Sequence, residues 1–196
     1  MKEGIRTTLA LCACGLLGAG SAFSVLAQEH AAHVHGEAHL DVAQEGDTLS
    51  LQLESPLDNL LGFEHAPRNT AEEAQARRMS AKLRAADGLF APTPAADCKL
   101  EKVTLESSAL TPELLGETGS GHAEEHEEEH AHEGEEGHAD LDALWQFRCA
   151  RPEALRSVEI RLFQSFPGLR ELEVQAVTPN GQRGATLTPE KRTLAW

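Results

Sequence analysis

Between Gly116 and Asp140 the chain carries five histidines, ten carboxylates, no lysine or arginine, and no apolar residue larger than alanine. A stretch of this composition cannot bury enough apolar surface to offset the entropy of ordering its backbone. It has no place in a hydrophobic core, so whatever folds must fold around it. Residues 116–140 are therefore expected to form a flexible His/Glu-rich loop, disordered when empty, inserted into one interrupted body.

The same composition suits metal. Zinc takes imidazole nitrogen and carboxylate oxygen, usually four ligands to a site. His122, His126, His130, His132 and His138 offer several such sets. His122, His126 and His130 are spaced i, i+4 and i+8, and would share one face if metal induced a helix. The carboxylates draw in divalent cations and favour protonated imidazole, so protons should compete below about pH 6. The chain must order itself to bind, which lowers the affinity. A buffer or receiver fits this better than a tight structural site. Imidazole also suits copper and nickel, and copper outranks zinc in raw affinity. The plainer alternative is an acidic, solvated linker whose histidines are incidental.

The remaining chain sets the context. Lys2 and Arg6 precede an uncharged stretch from Thr7 to Ala27, and Val25-Leu26-Ala27 suits a cut before Gln28. Residues 1–27 read as a cleaved signal peptide, leaving residues 28–196 as a single domain in the periplasm with no membrane attachment. An uncleaved anchor is the alternative. The net charge of −15 repels nucleic acid and anionic membrane and attracts cations. Beyond residue 27 the only cysteines are Cys98 and Cys149. An even pair in an exported chain reads as a disulfide.

The body reads as mostly strands. Ala38, Leu40 and Val42 alternate with polar residues, and Leu49, Leu51 and Leu53 do so after Glu45-Gly46-Asp47, which predicts a hairpin. Leu100, Val103 and Leu105 suggest a further strand, with Leu144 to Cys149 as its partner. Val158, Ile160 and Leu162 suggest another. Leu172, Val174 and Ala176 lead through Pro179-Asn180-Gly181 to a return at Ala185 to Leu187. One helix is capped by Asn69 or Thr70, shows an apolar face at Ala71, Ala74, Met79 and Leu83, and stops at Asp87-Gly88. A short turn fits Leu57 to Leu61. The expected fold class is α+β, an antiparallel sheet with one main helix.

A second group of histidines lies at the start of the body. His33 and His35 are two apart and face one side of an extended segment; His39 shares their parity, and Glu37 is in register. His30 is a weaker member. His65, in Gly62-Phe63-Glu64-His65-Ala66-Pro67, reads as a loop contact or a further donor to this cluster. Zinc held by His33, His35 and His65, with Glu37 or Glu64 as base, would describe a metalloenzyme. No His-Glu-x-x-His motif supports it, and the chain reads as a binding protein rather than an enzyme. An acidic module that binds a cationic partner without metal is the other alternative.

Several segments together resemble one family. His33-Val34-His35-Gly36, Leu53-Glu54-Ser55-Pro56, the Gly62–Pro67 segment, the Cys98 region, the His/acidic run, Phe163-Gln164-Ser165-Phe166-Pro167-Gly168 and Val177-Thr178-Pro179-Asn180-Gly181-Gln182 are similar to the ZrgA-type proteins. The resemblance spans essentially the whole chain beyond residue 27. It implies a periplasmic zinc-binding protein of Gram-negative bacteria, linked to zinc acquisition, with a zinc uptake transporter as partner and no assigned catalysis. It carries a metal-binding role onto His122, His126, His130, His132 and His138.

Overall fold

The computed structural model describes residues 34–117 and 139–196. The expected signal peptide at residues 1–27 lies outside them, as do His30, His33, His122, His126, His130, His132 and His138.

Strand β1 (Glu37–Glu45) and strand β2 (Thr48–Pro56) form the first hairpin, turning at Gly46. Strict alternation buries Ala38, Leu40 and Val42 opposite Leu53 and Leu51 on the same face. Helix α1 (Leu57–Leu61) follows directly, ending at the left-handed Gly62. Helix α2 (Thr70–Arg84) is the longest among the described residues. Asn69 caps it, accepting from the N–H groups of Ala71 and Glu72. The Glu72 carboxylate reaches back to the Arg68 N–H at 2.7 Å, a bond that holds its pKa below the usual glutamate value. The buried face is Ala76, Met79, Ser80 and Leu83, so the stripe lies slightly to one side of the expected Ala71 and Ala74.

Strand β3 (Phe90–Pro92) leads to β4 (Cys98–Ser107), and the short helix α3 (Pro112–Leu115) follows. After the His/acidic run the chain resumes in β5 (Asp140–Cys149), then β6 (Ser157–Ile160), α4 (Leu162–Ser165), β7 (Glu171–Thr178), β8 (Gly181–Leu187) and β9 (Thr193–Ala195). Leu162 therefore starts a helical turn instead of extending the strand of Val158 and Ile160.

Six strands pair in the order β4-β5-β2-β1-β7-β8, and three more in the order β3-β6-β9. The expectation of an antiparallel sheet needs one correction: β1 and β7 run parallel, with Leu40 beside Val174. The reason is local. The N–H groups of Arg170 and Glu171 both donate to the Gly36 carbonyl, so both strands start at the same end. The core fills the space between this sheet, α2 and the small sheet. Trp145 sits at its centre, fully buried, donating its indole N–H to the Leu83 carbonyl at 2.7 Å and meeting Phe90 edge-on at 4.7 Å. Cys98 and Cys149 face each other across β4 and β5 and are joined by a disulfide. Among the described residues no helix is long and apolar enough to cross a membrane.

Candidate metal site

Three segments of the chain meet at one buried residue, Asn59 on α1, which is 2% exposed. Its amide oxygen accepts from the Gly36 N–H. Its amide nitrogen donates to the Glu37 carbonyl at 2.7 Å and to the Ser55 hydroxyl at 3.2 Å. Gly168 packs so closely against the Asn59 backbone that a Cβ there would lie 2.5 Å from the Asn59 carbonyl oxygen. The Phe-Pro-Gly turn thus needs its glycine for close approach.

This packing fixes the residue just before β1. Gly36 has φ +95, a conformation that favours glycine, and an added Cβ would strike the Arg170 guanidinium. That guanidinium donates to the His35 carbonyl at 2.6 Å. The peptide between His35 and Gly36 is held by Asn59 on one side and Arg170 on the other. The His35 ring lies between two carboxylates. Nε2 is 3.0 Å from Glu64 Oε1, and Nδ1 is 3.6 Å from Asp58 Oδ2. Glu64 is well shielded, whereas His35 is half exposed and Asp58 a third exposed.

The other described histidines engage different carboxylates. His39 lies on the outer face of β1, with Nδ1 3.4 Å from Glu173. His65 stacks on Phe63 at 4.8 Å, lies 3.0 Å from the Ala66 carbonyl and is 3.9 Å from Glu72. Parity alone grouped His35 with His39, but the left-handed turn at Gly36 sends His35 toward α1 while His39 stays on the sheet. Among the described residues no three histidine, cysteine or carboxylate groups are placed to hold a metal as they stand. Asp58, Asn59 and Arg170 were not singled out in the sequence. The one available signal was the polar pair Asp58-Asn59 embedded among Leu57, Leu60 and Leu61.

Both roots of the His/acidic run are tied to the body. Glu117 accepts from the Leu105 N–H at 3.1 Å and from Arg84, which also donates to the Leu115 carbonyl. Burial raises the Glu117 pKa, but these bonds outweigh it and hold the carboxyl below its usual value. On return, the Ala139 carbonyl accepts from the Leu57 N–H at 2.9 Å, and the Ser107 hydroxyl donates to the Asp140 carbonyl. Leu57 opens α1, one residue before Asp58, so the run rejoins the fold beside the His35 cluster.

On the outer sheet face, register aligns Glu106, Asp142, Glu54, His39 and Glu173 across five strands. Partial burial raises the Asp142 pKa, and the negative charges of Glu54, Asp140 and Glu106 raise it further. A carboxyl raised in the fold does not oppose folding at low pH, where both folded and unfolded forms are protonated. It opposes folding increasingly as pH climbs through the unfolded and then the folded pKa. Asp142→Asn should therefore raise the thermal midpoint at pH 7, and the gain should vanish below about pH 4. A lower midpoint for the variant at pH 7 would contradict this account of the row.

These features define a sheet protein whose β4–β5 hairpin is interrupted by a run dense in histidines and carboxylates. The family described as ZrgA family zinc uptake protein has a sequence model that matches residues 32–196, and the chain belongs to that family. No match was found among curated proteins.

Proposed function

We propose that the protein binds zinc in the periplasm, buffers it, and passes it to a component of a zinc uptake system. The observation that supports this most strongly is the family match over residues 32–196, which encloses the whole His/acidic run. In this reading residues 1–27 are a cleaved signal peptide and residues 28–196 one zinc-binding domain. His122, His126, His130, His132 and His138 form the capturing loop. His33 and His35 form a smaller, better-ordered site, with His39 and His65 as outlying candidates. A ligand set of histidines and carboxylates binds zinc without thiolate, and the two body cysteines are taken up in a disulfide. No catalytic step is required.

Calorimetric titration tests the reading. Replacing the five run histidines by glutamine should lower the zinc stoichiometry by at least one. The reading fails if the unaltered protein binds zinc no more tightly than millimolar, or if the five replacements leave the stoichiometry unchanged. Competition with copper and nickel at fixed pH decides the metal.

A further inference from the structure

His35 makes two unlike contacts, and the difference assigns roles to its ring nitrogens. The Nε2–Glu64 distance of 3.0 Å is that of a hydrogen bond. The Nδ1–Asp58 distance of 3.6 Å is too long for one. With Zn–N and Zn–O bonds of about 2.0–2.2 Å, an imidazole nitrogen and a carboxylate oxygen on one tetrahedral zinc stand roughly 3.4 Å apart. The second gap therefore matches a bridged pair, and the first does not.

We propose that His35 Nδ1 and Asp58 Oδ2 are ligands to one zinc ion, and that Glu64 orients the ring by accepting from Nε2–H; this rests on the zinc-binding reading above. With Nε2–H donating to Glu64, Nδ1 presents a lone pair toward the Asp58 carboxylate. Two acceptors then face each other, which a cation between them relieves. A carboxylate behind a metal-bound histidine fixes its tautomer and orientation and raises its basicity. The exposures agree with this division: Glu64, the support, is the most shielded of the three, and Asp58, the ligand, is open to solvent.

The two ligands are also set in advance. Asp58 precedes Asn59 on α1, and His35 precedes Gly36. Asn59 and Gly36 are bonded to each other, and Arg170 holds the His35 carbonyl. The backbones that carry the two ligands thus move as one piece. Such a pair supplies two of the usual four zinc ligands. The remaining positions fall to further donors, of which His33, two residues before His35 in the sequence, is one candidate.

Imidazole ¹⁵N spectra of the full chain, recorded as zinc is added, test the assignment. His35 Nδ1 should shift to a metal-bound position while Nε2 keeps its proton. In a full chain whose five run histidines are glutamine, the residual zinc affinity should fall at least tenfold on His35→Gln and on Asp58→Asn. Glu64→Gln should lower it about 10–100-fold. Thermal midpoints near that of the parent show that these changes leave the fold intact. A His35 ring that does not respond to zinc, or that binds it through Nε2, overturns the site while leaving the zinc-binding reading standing. Absence of zinc binding by the unaltered protein defeats both.

Discussion

Replacing Asn59 with leucine should lower the stability of the protein by roughly 3–5 kcal/mol. The two side chains are similar in size, so the loss is one of polar pairing. Leucine would strand the buried Gly36 N–H and remove the donor to the part-buried Glu37 carbonyl, while the Ser55 hydroxyl would keep only its bond to the Pro56 carbonyl. Each buried polar group left without its partner costs about 1–3 kcal/mol. Gly168 presses on the same residue, so α1 cannot shift to admit water without disturbing the turn before β7. Urea denaturation followed by tryptophan fluorescence measures the loss. A change under about 1 kcal/mol would mean that the amide is not what ties α1 to the start of β1.

Removing the disulfide should have a comparable effect for a different reason. The chain-entropy account gives about 4 kcal/mol for a cross-link closing a loop of this length, since Cys98 and Cys149 are 51 residues apart. The His/acidic run lies inside that loop. Without the bond the unfolded chain regains the freedom that the loop withholds. The Cys98→Ser, Cys149→Ser double variant should unfold at a markedly lower denaturant concentration. It should keep its zinc stoichiometry wherever it remains folded, because the thiols are not ligands in the proposed site. A loss of bound zinc in the folded variant would point instead to a thiolate role.

Much of the sheet was legible because burial on one face imposes a period of two, and Leu40, Leu51, Trp145 and Val174 all obey it. The helix at Thr70–Arg84 was legible from its Asn69 cap and from Met79 and Leu83, while Ala71 and Ala74 lie off its buried face. The parallel pairing of β1 with β7 was not, because alternation carries no record of a neighbour's direction. That direction follows from bonds between Gly36 and residues 170 and 171, far away along the chain. The His35 cluster was half legible. The histidine and its glutamate were visible as residues, but their meeting depends on a five-residue helix too short to show a period. Asp58 and Asn59 looked like polar interruptions of a leucine-rich turn, and only the folded chain shows one against the His35 ring and the other buried beneath it.

The two tied roots at Glu117 and Ala139 have a consequence for how such a protein can change over time. Each root is bonded to residues of the body, and none of those bonds involves the chain between them. Doubling the length of a loop between two fixed ends costs only about 0.6 kcal/mol in closure entropy. Histidines can therefore be added, lost or duplicated there one by one while the folded part stays nearly indifferent. On the zinc-binding reading proposed above, the capacity for metal and the stability of the scaffold are separately adjustable traits. Descendants of one ancestor could match their loops to the zinc supply of very different habitats without redesigning the rest.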